Sequence, residues 1–188
     1  MISRIDHVSL AVNDREKAVH FFENILGAIP GADMVDDHLK FRWSIFSLGD
    51  LSRLEIISSS GEGSFLEGFL SDKQDGGIHH ITVETPDINA AMKVLDENNI
   101  PYFGRNDIGD VWRELFIHPR DAFGVLIQIA QFNPDDWLND AVKLPAGTRW
   151  SVDKNNVGCC LTLANPGGGK VSLQLTRAEM EQLKKELA

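Results

Sequence analysis

Four side chains of metal-ligand type fall into two pairs with one spacing: His7 and His80 stand 73 residues apart, and so do Glu55 and Gln128. A fixed offset between like positions marks a duplicated structural unit. When the repeated positions carry imidazole and carboxylate or amide oxygen, each copy supplies half of one metal site. The neighbouring residues keep the same register. Shifting the chain by 73 lays Ile5-Asp6-His7-Val8-Ser9-Leu10 on Ile78-His79-His80-Ile81-Thr82-Val83, then Asp14 on Asp87, Ala18 on Ala91 and Phe22 on Leu95. Hydrophobic pattern, helix start and polar positions stay aligned together, which a few chance identities would not achieve.

The organisation follows from periodicity. Residues 4–12 alternate and are β-branched, and Asn13-Asp14 offers an N-cap to a helix whose apolar stripe is Ala18, Val19, Phe22, Ile25 and Leu26, closed by Gly27. A turn-rich segment around Pro30 and Gly31 precedes strands at 40–48 and 53–58, joined by a tight turn at Gly49-Asp50. This reads as a β-α-β-β-β module over residues 1–59. A linker at 60–77, with a short helix in SFLEGFL, leads to a second module at 78–132, whose helix starts at Pro86-Asp87 and whose later strands lie near Pro101, at 112–118 and at 124–130. The expected fold is α+β, two paired modules curling into a cup-shaped mixed sheet. Residues 133–188 depart from both modules. They are read as a C-terminal extension with strands at 159–163 and 171–175 and a last helix capped by Thr176 and Glu179. That extension is expected to cover a sheet edge, lid the cup or supply a homodimer contact, and the sequence does not choose among the three.

Strand parity selects the site. Successive side chains of a strand face opposite ways, so assigning the apolar row to the helix-covered core tells where the polar row points. With Val8, Leu10 and Val12 in the core, His7 and Ser9 face the other side. Ile81 and Val83 place His79 with the core and His80 opposite it. Leu54 and Ile56 leave Glu55 on the His7 side, and Ile127 and Ile129 do the same for Gln128. Two imidazoles, one carboxylate and one amide oxygen suit a divalent first-row ion (Co, Ni, Mn, Zn or Fe) with positions left for substrate oxygens. A single strand histidine is more often structural, and His20 and His118 are read that way.

Length and charge bound the partners. With 188 residues and 43% hydrophobic composition, the chain can bury a core without disulfides. Its 18 basic and 28 acidic residues give a net charge of −10, which argues against nucleic acid or an anionic membrane as partner. A small-molecule substrate is expected instead. Cys159 and Cys160 are adjacent rather than spaced as a disulfide framework, and are read as apolar filler on a strand in a reducing cytoplasm. The N-terminal residues MISRIDH show no apolar signal region, and no run approaches the roughly 18 apolar residues of a membrane span.

The segments RIDHVSLAVND, GGIHHITVETPDINAAMKVLDENNIPY and ELFIHPRDAFGVLIQI resemble the vicinal-oxygen-chelate superfamily (glyoxalase, bleomycin resistance and dioxygenase proteins), and within it the methylmalonyl-CoA epimerases. The resemblance runs over about residues 3–131 and leaves out the extension. It implies one divalent metal held by His7, Glu55, His80 and Gln128. The implied chemistry is an isomerase's: proton abstraction next to a thioester carbonyl, with the metal as Lewis acid stabilising the enolate of an acyl-CoA thioester. In one respect the chain departs from the resemblance. Such epimerases usually carry Glu at the position of Gln128, where it doubles as base, and Gln or Glu at that of Glu55. Gln cannot take a proton near neutral pH. Because the duplication makes positions 55 and 128 equivalent about the metal, Glu55 is expected to be the base. A second acid from the opposite face is sought at Asp36, Asp37 or His38.

Other readings use the same residues differently. A glyoxalase I-type lactoylglutathione lyase would apply the same ligands to a glutathione hemithioacetal. A non-haem iron dioxygenase would use His7, His80 and Glu55 with Gln128 idle, and a non-catalytic binding or resistance protein would need no metal. Arg42, Arg105, Arg113 and Arg120 are candidate phosphate or carboxylate contacts, and none is singled out.

Overall fold

The computed structural model describes residues 1–49 and 52–188. Among the described residues, eleven strands and four α-helices follow in the order β1 (Arg4–Val12), α1 (Arg15–Val19), β2 (Ile29–Asp36), β3 (Phe41–Ser47), β4 (Arg53–Ser59), α2 (Leu66–Leu70), β5 (Gly76–Glu84), α3 (Ile88–Glu97), β6 (Phe103–Ile108), β7 (Trp112–Ile117), β8 (Leu126–Phe132), β9 (Trp150–Lys154), β10 (Gly158–Ala164), β11 (Lys170–Thr176) and α4 (Arg177–Glu186). The first eight strands form one curled mixed sheet in the order β2-β3-β4-β1-β5-β8-β7-β6, so the two β-α-β-β-β halves meet along antiparallel β1 and β5. Within each half the first strand runs parallel to the last, β1 with β4 and β5 with β8. The α+β cup expected from the duplication is the observed fold.

Local chemistry explains the helices and the core. The Asp14 and Asp87 carboxylates cap α1 and α3 by accepting backbone N–H groups at their first turns, which satisfies donors that would otherwise be orphaned. After Val19 the first helix continues as a π-helix over His20–Ile25. Ile88, Ala91 and Leu95 make one buried stripe of α3 against Leu115 and Ile129. On the other half, Ala18, Val19 and Phe22 pack against Val12, Phe46, Leu54 and Ile56. Both helices therefore cover the outer face of the sheet, while on the inner face α2 packs Leu66 and Leu70 against Ala11 and Ile57 beside the polar row.

Several elements differ from the sequence reading. The segment with Pro30 and Gly31 is strand β2 rather than a turn; β2 is the sheet's edge, where proline costs no ladder hydrogen bond. Strand β9 had no signal strong enough to be placed. The tight turn expected at Gly49-Asp50 reaches outside the described residues. Strands β10 and β11, with α4 and its Thr176/Glu179 capping box, lie where the pattern put them. Cys159 is buried on β10 and Cys160 half-buried. Gly76, at φ +129, opens β5 against β1; a side chain there would collide with the Ala11 carbonyl.

The extension crosses the cup rather than trailing from it. A 3-10 turn at Pro134–Trp137 sets the Trp137 ring 5.6 Å from Trp43 on β3 and 5.3 Å from Trp112 on β7, one contact in each half. Asn139 donates to the Pro30 carbonyl, and Arg53 donates to that of Pro134. Among the described residues no helix is long and apolar enough to cross a membrane.

Candidate metal centre

Two strand registers place the four residues marked by the offset of 73. Ser9 lies beside Glu55 in the parallel β1-β4 pair, and Thr82 lies beside Gln128 in the parallel β5-β8 pair, so the offset survives in three dimensions. His7, His80 and Gln128 are buried and Glu55 nearly so. The Glu55 Oε2 lies 3.5 Å from His80 Nε2 and 3.8 Å from His7 Nε2. Ligand atoms of His7, Glu55 and His80 all fall within 4.8 Å of one another. Gln128 joins them through Thr82, whose hydroxyl donates to the amide Oε1 and lies 2.8 Å from His7 Nε2.

The chemistry of the set fits a divalent cation. Among the described residues, Glu55 Oε2 and His80 Nε2 are buried without a hydrogen-bond partner, an arrangement that costs free energy unless something coordinates both. Burial pushes the Glu55 carboxyl up from the usual range, with His7 opposing. Burial, aided by His7 and His79, holds His80 well below the ordinary imidazole value, so it is a neutral donor. A lone pair on a neutral imidazole and a poorly solvated carboxylate are the forms a metal binds.

Asp6 was not singled out by the sequence, and it anchors the cluster. Its Oδ2 lies 2.7 Å from His7 Nδ1, which leaves Nε2 aimed at the site. Its Oδ1 pairs with Arg53 and Arg4, and Arg4 reaches on to Glu84 at 2.8 Å. Burial raises the Asp6 carboxyl, but its bond to His7 and the Arg53 guanidinium outweigh that and hold it below the carboxylate range. Outer carboxylates of this kind fix ring orientation and ligand basicity. Asp6→Asn is expected to weaken divalent-metal affinity about 10–100-fold, measured by titration calorimetry; unchanged affinity would leave Asp6 a purely structural ion pair.

Parity misplaced one histidine. The β1-β5 register shifts between the Ser9–His80 and Leu10–Ile78 pairs, and the extra residue of this β-bulge is His79. His79 consequently packs its ring against Phe65 and Phe69, with its Nδ1 2.9 Å from that of His80, on the same side rather than in the outer core.

Asp37 and His38 are exposed on the β2-β3 turn, and the Asp36 carboxylate accepts the Leu39 N–H at 2.7 Å. His20 sits on Asn24, and His118 accepts the Arg120 N–H at the turn after β7. Arg42, Arg105, Arg113 and Arg120 each pair with an aspartate nearby.

Comparison with known proteins fits this geometry. Residues 6–113 match the glyoxalase/bleomycin resistance protein/dioxygenase superfamily. The ethylmalonyl-CoA/methylmalonyl-CoA epimerase of Cereibacter sphaeroides is 38% identical over 134 residues, 70% of this chain and 99% of its own. The mitochondrial methylmalonyl-CoA epimerase of Homo sapiens is 35% identical over 133 residues, 69% of this chain and 74% of its own. The chain belongs to this superfamily, in its methylmalonyl-CoA epimerase branch. The fold agrees: the solved methylmalonyl-CoA epimerase of Mycobacterium tuberculosis superposes with a TM-score of 0.63 at 26% identity, over 71% of this chain and 90% of its own. Enzymes of this family typically use a divalent metal, and the His7, Glu55 and His80 group fits one.

One carboxylate on the inner face escaped the sequence reading. Glu114 of β7 accepts from Gln128 Nε2 at 2.5 Å, from Trp112 Nε1 at 2.9 Å and from Asn106 Nδ2 at 3.1 Å. It holds the Gln128 amide so that the nitrogen turns toward β7 and the oxygen toward Thr82 and the histidines. In the sequence, residues 112–118 read only as a strand, with no face assigned, so nothing marks Glu114 as inward.

Proposed function

We propose that the chain is a metal-dependent acyl-CoA epimerase acting on a methylmalonyl-CoA-like thioester. The single observation carrying this reading is the buried His7, Glu55 and His80 cluster, with two ligand atoms unpartnered among the described residues, in a chain 38% identical to an ethylmalonyl-CoA/methylmalonyl-CoA epimerase. His7, Glu55, His80 and Gln128 would hold the divalent ion. When bound, that ion supplies Lewis acidity toward the two oxygens flanking the acidic carbon.

The protein's own residues do the rest. Asp6 orients the His7 ring, Glu114 and Thr82 orient the Gln128 amide, and Glu55 is the group able to remove a proton. A carbon between a carboxylate and a thioester gives up its hydrogen reluctantly in water. A poorly solvated carboxylate is the stronger base for it.

Elemental analysis of purified protein, combined with hydrogen–deuterium exchange at the α-carbon of methylmalonyl-CoA and of a glutathione hemithioacetal, tests the reading. We expect about one divalent ion per chain, drawn from Co, Ni, Mn, Zn or Fe, and exchange with the acyl-CoA alone. Exchange with the hemithioacetal alone would make the protein a glyoxalase-type lyase. Absence of metal, or exchange with neither compound, would overturn the proposal.

A further inference from the structure

The two halves of the cup are related by an offset of 73 in the strands that carry the ligands, but not throughout. Glu55 stands opposite Ile45 on β3, while Gln128 stands opposite Phe116 on β7. The equivalence between β3 and β7 is therefore Ile45 with Phe116, an offset of 71. Two residues along each strand, on the same inner face, Trp43 becomes the mate of Glu114. Each half thus contributes one carboxylate and one uncharged group: Glu55 with Trp43 in the first, Glu114 with Gln128 in the second.

From this juxtaposition we infer that Glu114 is the second proton-transfer residue of the epimerisation, serving the face of the substrate carbon opposite to Glu55. The inference rests on the proposed epimerase reading and completes it, since inversion at one carbon needs a group on each side.

The surroundings of Glu114 suit the task. Trp112 and Gln128 both donate to Oε2 and fix the rotamer, while Oε1 accepts only from Asn106 among the described residues and keeps a lone pair open. Asp36, Asp37 and His38 lie on the exposed β2-β3 hairpin, and no contact of theirs with the cluster is seen among the described residues. Across the cup, the position equivalent to Glu114 holds Trp43, which packs on Trp137 and has no side-chain acid or base that ionises near neutral pH.

The step balances. Glu55 takes the α-hydrogen as a proton, and the C–H electron pair moves onto the thioester oxygen. That pair then returns to carbon, which takes a proton from the Glu114 carboxyl on the other face. Glu55 is left protonated and Glu114 ionised, and exchange with solvent, or a turnover in the reverse direction, resets both.

The test uses the full-length, metal-loaded protein with each methylmalonyl-CoA epimer separately in D2O. Wild type should incorporate deuterium from both epimers and interconvert them. Glu114→Gln should lose epimerisation at least about 100-fold and lose exchange with one epimer, yet exchange the other within about 3-fold of wild type. Glu55→Gln should show the opposite epimer preference. Glu114→Asp, which keeps a carboxylate on a shorter stem, should recover part of the epimerisation. Glu114→Gln should still take up the divalent ion, its affinity lowered by no more than the about 10–100-fold that an outer partner of a ligand contributes.

Three results would overturn the inference: unchanged epimerisation in Glu114→Gln, equal loss of exchange with both epimers, or loss of the metal. Each of the last two would reduce Glu114 to a positioning residue for Gln128. Failure of the epimerase reading would be visible separately, as no exchange in wild type.

Discussion

Replacing Glu55 with Gln is expected to lower epimerisation by about 10²–10⁴-fold, the range general-base catalysis supplies, while sparing most of the metal affinity. The separation follows from what the substitution removes. An amide keeps the carbonyl oxygen and the shape of the side chain, so it still ligates, as Gln128 is proposed to do across the cup. It cannot accept a proton near neutral pH. The lost factor therefore belongs to proton transfer and should appear in kcat rather than in binding of the thioester. Burial strengthens the argument, because it raises the carboxyl above its usual range and so makes the ionised form a stronger base. Stopped-exchange measurement of deuterium at the α-carbon, alongside metal titration, checks both halves. Undiminished exchange with both epimers would dismiss Glu55 as the base, and metal loss on the same scale as the rate loss would mean that only its ligand role had been seen.

The second large effect belongs to His80. His80→Ala removes one of two imidazoles from the cluster and is expected to weaken divalent-metal affinity by more than about 100-fold, beyond the 10–100-fold typical of an outer partner. Because His80 is held well below the ordinary imidazole range by burial and by His7 and His79, its lone pair is free throughout the neutral range, and no proton competes for it there. Metal binding to the native state also stabilises the fold. At about 100 times the dissociation constant the gain is about 2.7 kcal/mol, read as a rise in Tm when metal is added to stripped wild type. That rise should be absent from His80→Ala at the same metal concentration. Chelation of wild type should abolish α-proton exchange and readdition of a divalent ion restore it. A His80→Ala protein that kept both its metal and its thermal shift would place the ion elsewhere.

How much of this was legible before folding depended on the range of the signal. The His7 row of β1, Glu55 on β4 and Gln128 on β8 could be assigned to one side because alternation is a local property, and their neighbours Leu10, Ile56 and Ile129 are core residues of the outer face. The helix starts at Asp14 and Asp87 were legible for the same reason, since a cap acts within one turn. His79 was misassigned because a β-bulge is a property of a strand pair, visible only once β1 and β5 are in register. Strand β2 was missed because Pro30 and Gly31 disfavour a central strand, and nothing local says that a strand is an edge.

The remaining omissions share one cause. Asp6 sat beside His7 in the sequence, yet its role came from Arg53, brought alongside by the β1-β4 pairing. Trp137 lies in a segment without a repeat partner and becomes part of the cup only by reaching Trp43 and Trp112 in different halves. Glu114 was hidden by arithmetic as well: the offset of 73 lays it on Phe41, whereas the strand registers pair it with Trp43.

By itself, the amino-acid sequence determined the duplication, the α+β class, the outer-face core and four inward positions carrying side chains of ligand type, because periodicity and helix capping act over a few residues and repeat with the module. Tertiary structure alone decided which atoms meet: the Asp6–His7 orientation, the displaced His79, the Trp137 crossing and the inward Glu114. Those depend on hydrogen-bond register between strands distant in the chain, and a shift of two residues there changes the partner of every side chain on the face.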